Sequence, residues 1–142
     1  MTPPSIRSAL TDEDIRRCFP VMKQLRPLLA EGDFVGRVRL QERTGYHLVL
    51  LEDAGEVQAV AGYRLLEILS AGRVLYVDDL VTDQERRSSG YGRTLLAWLA
   101  DRARDEKCRK LDLDSGVQRT DAHRFYLTNG MTIFAHHFRM DL

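Results

Sequence analysis

The sequence predicts one mixed α/β domain with mostly antiparallel strands, on the strength of three observations. Apolar residues at helical spacing open the chain, two strand signals joined by turns follow, and a strand, helix, strand order closes it. A length of 142 residues suits a single core, with no repeat, low-complexity tract or long linker, so residues 1–142 are read as one domain.

Each element has its own signal. Ile6 to Leu10 reads as a short strand, and Thr11-Asp12-Glu13-Asp14 as a helix start whose side-chain oxygens meet free amides. Ile15, Cys18, Phe19, Met22, Leu25 and Leu29 recur at helical spacing. Pro20 and Pro27 interrupt them, so a kinked or two-piece helix is expected. Asp33 is the expected cap of a second helix running to about Glu42.

Tyr46 to Glu52, the turn Asp53-Ala54-Gly55-Glu56 and Val57 to Leu69 form a hairpin signal. Ser70-Ala71-Gly72 then turns into a strand from Val74 to Thr82. After a polar stretch, Gly90 and Gly92 precede a helix with Leu95, Leu96, Trp98, Leu99 and Ala103 on one stripe. Lys110 to Asp114 reads as a strand, Thr120 to Thr128 as a helix and Met131 to Met140 as a final strand.

Composition narrows the partners. The chain is 44% hydrophobic and 30% charged, with 21 basic and 21 acidic residues, so nucleic acid and anionic membranes are not expected as partners. No apolar run approaches membrane-spanning length, and the opening Met-Thr-Pro-Pro-Ser lacks the regions of a signal peptide. A cytoplasmic location is expected. Cys18 and Cys108 belong to no Cys-x-x-Cys pattern and read as small buried apolar residues in a reducing compartment. His136 and His137, taken as strand neighbours, face opposite ways and cannot jointly chelate, so no metal site is expected.

The most informative stretch is Arg87-Ser88-Ser89-Gly90-Tyr91-Gly92-Arg93-Thr94, between a strand and a helix. Amides at a helix start lack intrahelical partners, and the helix dipole adds positive charge there. Glycines let main chain approach a diphosphate, while Arg87 and Arg93 offer charge and Ser88, Ser89 and Thr94 hydroxyls. A glycine turn that merely starts a helix is the plain alternative. Spacing excludes two other phosphate loops: Arg87 stands where a Walker A loop needs glycine, and Leu95 where the dinucleotide fingerprint needs glycine or alanine.

What remains, Arg-x-x-Gly-x-Gly after an apolar strand, resembles the cofactor motif of the GCN5-related N-acetyltransferase (GNAT) superfamily. Tyr76-Val77-Asp78-Asp79-Leu80-Val81-Thr82 also looks like that family's fourth strand. Downstream, Leu111-Asp112-Leu113-Asp114-Ser115-Gly116 and then Ala122-His123-Arg124-Phe125-Tyr126-Leu127-Thr128-Asn129-Gly130-Met131 resemble its next strand and helix, with Met131 at the usual Phe position. The resemblance covers roughly residues 46 to 140.

It implies the acyl-CoA N-acyltransferase fold: a twisted, mostly antiparallel sheet splayed between strands 4 and 5, with helices on both faces. It also implies acetyl-CoA as acyl donor and an amine of a small molecule or peptide as acceptor. The pantetheine arm would lie on main-chain groups of Leu80, Val81 and Thr82. The phosphates would lie on Arg87, Ser88, Ser89, Gly90, Tyr91, Gly92, Arg93 and Thr94, and Ser115 would touch the arm.

Acyl transfer to an amine needs a proton acceptor, donors for the developing oxyanion and a proton for the thiolate. By resemblance Tyr126 is that acid; a tyrosine packed on its helix is the other reading. Asp78 and Asp79 are candidate bases, because acids are rare in an apolar strand. Strand alternation lets only one of them point directly into a cleft, with Asp78 favoured unless a bulge reverses the choice; a paired acid with a water relay is the alternative. His123 reads as a surface residue. Arg26, Arg37 and Arg39 read as a solvated face, contact with an acceptor carboxylate being the other reading. A catalytically inactive acyl-CoA-binding module is the competing function, and a homodimer stays open.

Overall fold

Strand β2, His47–Asp53, buries side chains on both faces: Leu48 and Leu50 on one, Val49 and Leu51 on the other. Such a strand must be covered twice. In the computed structural model, which describes residues 3–142, it is. Met1 and Thr2, where the search for a targeting signal began, lie outside the described residues.

The chain divides into two compact units, one reaching to Asp112 and one from Leu113 to Leu142. In the first, β1 (Ser5–Ser8), β2, β3 (Glu56–Ile68) and β4 (Gly72–Thr82) pair antiparallel in chain order, with β5 (Lys110–Leu113) last. The Arg109 amide donates to the Arg73 carbonyl at 2.8 Å, so β5 starts level with the start of β4 and runs parallel to it. Four residues at about 3.3 Å each end before the level of Leu80, so the far half of β4 continues past β5.

Helices α1 (Asp12–Leu25) and α2 (Glu31–Glu42) cover one face. Ile15, Cys18, Phe19, Met22, Phe34 and Val38 form one buried cluster with Leu48, Leu50, Val60 and Val81. Each such burial contributes roughly 1.5–3 kcal/mol. Helix α3 (Tyr91–Asp105) covers the other face with Leu95, Leu96, Leu99 and Ala103, and the Trp98 ring meets the Tyr63 ring edge-on at 6.3 Å.

Several expectations need correction. Helix α1 runs unbroken through Pro20 and ends before Pro27, because a buried apolar face outweighs the amide that Pro20 lacks. Thr11 caps it as expected, its Oγ1 accepting from the Asp14 amide at 3.1 Å. Helix α2 starts at Glu31, ahead of Asp33; neither acid caps it, but both lie in the first turn, where the helix dipole favours them. An unforeseen 3-10 helix, Gln84–Ser89, links β4 to α3. Cys18 is buried, its thiol pushed up to about 12 mainly by desolvation, whereas Cys108 is only half-buried.

The second unit holds α4 (Thr120–Thr128), which closes through Gly130 at φ 89° and the Met131 amide donating to the Tyr126 carbonyl at 3.0 Å. The expected strand from Met131 to Met140 does not form. Its alternation of Phe138 and Met140 with polar neighbours suits a half-buried strand, but a strand exists only within a ladder, and no residue from 131 on enters one. Ile133, Phe134, Phe138 and Met140 are exposed. The argument that His136 and His137 face opposite ways loses its strand as well.

Candidate active site

The register of β3 against β4 breaks at one point. Gly62 faces Asp79 but Tyr63 faces Val77, leaving Asp78 as an extra residue on β4. This bulge cancels the alternation that would send neighbouring side chains to opposite faces. Asp78 and Asp79 both line one cavity of about 690 Å³, together with Tyr76, Tyr46, Phe34 and residues of the α1–α2 connection. The expectation that only one acid could face a cleft is therefore overturned by the bulge.

Both acids are held. Arg26 donates from Nε to Asp79 Oδ1 and from Nη2 to the Asp78 carbonyl, each at 2.9 Å. The Tyr46 hydroxyl donates to Asp79 Oδ2 at 2.7 Å. Burial and that carboxylate push the Tyr46 phenol well above its ordinary range, keeping it a donor. Arg64 donates from Nε to Asp78 Oδ2 at 2.9 Å and is itself fixed by Thr44 Oγ1 at 3.0 Å and Gln41 Oε1 at 3.1 Å.

Asp78 Oδ1, by contrast, is buried without a hydrogen-bond partner. Burial raises the Asp78 carboxyl above the usual carboxylate range; the Arg64 guanidinium opposes the shift and the Asp79 charge adds to it. A carboxylate with one oxygen anchored and the other bare, raised toward neutrality, has the properties of a general base.

Tyr46, Arg64, Gln41 and Gly62 escaped the sequence reading. Gly62 carried the one usable signal, a glycine inside an apolar strand. The ring and hydroxyl of Tyr46 cross over it, and any Cβ there would collide with them.

The glycine loop is built around α3. Gly90 takes φ 81°, a left-handed conformation that glycine adopts without strain. No side chain caps the helix and no acid lies in its first turn, so its leading amides point outward with the dipole uncompensated. Arg87 and Arg93 are exposed, and neither has a carboxylate partner among the described residues. Ser88 and Ser89 are exposed at the end of the 3-10 helix.

Two loop residues are committed elsewhere. The Tyr91 hydroxyl donates to Asp53 Oδ2 at 2.5 Å, and Thr94 Oγ1 donates to the Gly90 carbonyl at 3.0 Å. Tyr91 and Gly92 therefore offer the loop main-chain amides, and Thr94 Oγ1 offers only lone pairs. On β4, Leu80, Val81 and Thr82 pair with Ala61, Val60 and Ala59, and the Val81 side chain is buried in the core, leaving main chain as its available surface.

In the second unit, Tyr126 is half-buried on α4, its phenol raised by burial against the opposing pull of Arg119. Ser115 Oγ is buried without a partner, and the His123 ring lies 2.7 Å from the Gly116 carbonyl. His137 Nδ1 lies 2.8 Å from Asp114 Oδ2. Among the described residues, no group of three or more His, Cys, Asp or Glu side chains is placed to hold a metal. No described helix is long and apolar enough to cross a membrane.

Known proteins share this arrangement. The model of the acetyltransferase (GNAT) family matches residues 10–131. An uncharacterized N-acetyltransferase, YhdJ of Bacillus subtilis, is 32% identical over 136 residues, covering 94% of this chain and 96% of its own. The aminoalkylphosphonate N-acetyltransferase of Salmonella typhimurium is 30% identical over 105 residues, 74% of this chain and 54% of its own. Among solved structures, a GNAT family acetyltransferase of Staphylococcus aureus superposes with a TM-score of 0.83 at 19% identity, covering 99% of this chain and 100% of that one. Glucosamine-6-phosphate N-acetyltransferase of Arabidopsis thaliana does so at 0.78 and 21%, covering 99% of each.

Proposed function

Because the chain belongs to the acetyltransferase (GNAT) family, we propose that it transfers the acetyl group of acetyl-CoA directly to a primary amine of a small molecule or peptide. The observation that carries this reading is the β4 bulge, which sets two carboxylates beside a cavity while the main chain of Leu80, Val81 and Thr82 runs on past β5. Acetyl-CoA, when bound, supplies the activated acyl carbon.

The chain's own residues do the rest. The first amides of α3, with Gly90, Arg87 and Arg93, hold the phosphates; Ser88, Ser89 and the amides of Tyr91 and Gly92 add donors. The main chain of Leu80 to Thr82 holds the pantetheine arm as an added strand would be held, with Ser115 Oγ as a further contact. Asp78 takes the proton of the attacking amine, and Arg26 and Tyr46 fix Asp79 beside it. The amine nitrogen forms a bond to the acyl carbon, the carbon–sulfur bond breaks with its electron pair leaving on sulfur, and Tyr126 gives sulfur its proton. A phenol of ordinary or raised pKa suits a thiolate of similar basicity. We take the protein to work in the cytoplasm.

Calorimetry with acetyl-CoA, joined to a screen of primary amines for release of free thiol, tests the reading. Binding with turnover supports it. Binding without turnover on any amine would make the chain an inactive acyl-CoA module, and no binding at millimolar cofactor would remove the reading. Tyr126→Phe should lower turnover about 10- to 100-fold with little change in cofactor affinity; equal losses in both would make Tyr126 a packing residue.

A further inference from the structure

The cavity at the β4 bulge carries two charges of opposite sign that nothing in the protein uses. One is Asp78 Oδ1, buried and without a hydrogen-bond partner. The other is the guanidinium of Arg37, which lines the same cavity from α2. The neighbouring arginines are spent: Arg26 on Asp79 and the Asp78 carbonyl, Arg39 on Asp12 and Glu42, Arg64 on Asp78, Thr44 and Gln41. Arg37 makes no hydrogen bond or ion pair with any described residue.

Their spacing follows from α2. Gln41, which holds the Arg64 that anchors Asp78, stands four residues after Arg37. Four residues of helix rise about 6 Å, one turn, so both face the cavity from the same side of α2. Phe34 and Leu29 supply apolar lining near them. A purely cationic amine would leave Arg37 unanswered, and a diamine would be repelled by it.

We propose that the acceptor is a short primary amine carrying an anionic group, its ammonium held by Asp78 Oδ1 and its carboxylate, phosphate or phosphonate by Arg37. The inference rests on the acetyltransferase reading above and adds the chemical class of the acceptor. Asp78 then has two tasks at one atom: it seats the ammonium and receives its proton. Arg37 is a specificity residue, giving a planar fork of donors to the anion.

The test compares 4-aminobutyrate, 3-aminopropylphosphonate and butylamine in two measurements on the whole protein. One is calorimetric binding in the presence of coenzyme A; the other is thiol release from acetyl-CoA. At least one anion-bearing amine should exceed butylamine about 10-fold in kcat/KM, and Arg37→Gln should bring that ratio close to one, chiefly through KM. The carboxylate and phosphonate arms identify which anion the site takes. Butylamine turning over as well as both anionic amines, or a ratio that survives Arg37→Gln, overturns the inference while leaving the transferase reading intact. Anionic amines that bind in an Arg37-dependent way without releasing thiol uphold the acceptor class and defeat the transferase reading. Failure of both anionic amines to bind overturns the inference outright.

Discussion

Asp78 is strained by its setting, and its ionisation state shows how. Burial raises its carboxyl above the ordinary range near 3.9, so the ionised form costs more in the folded protein than in the unfolded chain. That cost is absent below the unfolded value and grows as pH rises through the window up to the folded one. Asp78→Asn should therefore be at least as thermally stable as the parent at pH 7, with the advantage fading below about pH 4. Activity should move the other way. The parent's kcat/KM should rise with pH along a limb set by Asp78, and Asp78→Asn should lose that limb and about 100-fold in rate. A variant that keeps both limb and rate would pass the role to Asp79 or to water. The sequence showed that two acids stood in an apolar strand, which was the useful signal. It could not show that both face one cavity, because a bulge belongs to the register between β3 and β4, and neither strand encodes it alone. Tyr46 stayed hidden for a similar reason: its partners Asp79 and Gly62 are remote in the chain.

Elements whose signal is local were the legible ones. The apolar stripe of α3, the Thr11 cap and the β2–β3 hairpin follow from neighbours a few residues apart. The segment from Met131 to Met140 has the right alternation yet forms no strand, since pairing is decided outside the segment. The hairpin turn offers a clean test of local chemistry. Ala54 and Gly55 stand at φ 53° and 79° between paired Asp53 and Glu56, the pattern of a type I′ turn. Glycine takes that conformation freely, whereas alanine pays roughly 1–2 kcal/mol for it and asparagine tolerates it better. Ala54→Asn should stabilise the protein by about 0.5–1 kcal/mol and raise Tm by a few degrees in a thermal melt, without altering acetyl-CoA affinity. An unchanged or lower Tm would mean that the turn relaxes away from this geometry in solution.

Across the whole molecule the charges cancel, 21 against 21, and net charge therefore gives no pull on an anionic cofactor. Any electrostatic contribution to acetyl-CoA binding has to come from local arrangement. The start of α3 supplies one: an uncapped helix end without acids, flanked by Arg87 and Arg93, which have no carboxylate partners among the described residues. Charges at this exposed site are screened over about 10 Å at 0.1 M salt and about 3 Å at 1 M. Acetyl-CoA affinity measured by calorimetry should fall several-fold between 0.05 and 0.5 M sodium chloride, although the protein as a whole is neutral. Arg87→Gln combined with Arg93→Gln should weaken binding roughly 3- to 10-fold at low salt and flatten the salt dependence, because each exposed pair is worth on the order of 0.2–1 kcal/mol. The same double variant should leave the pH limb of Asp78 where it was, since the loop and the bulge draw on different residues. If salt and both substitutions left the affinity untouched, the phosphates would have to be held by the main-chain amides of Gly90, Tyr91 and Gly92 alone.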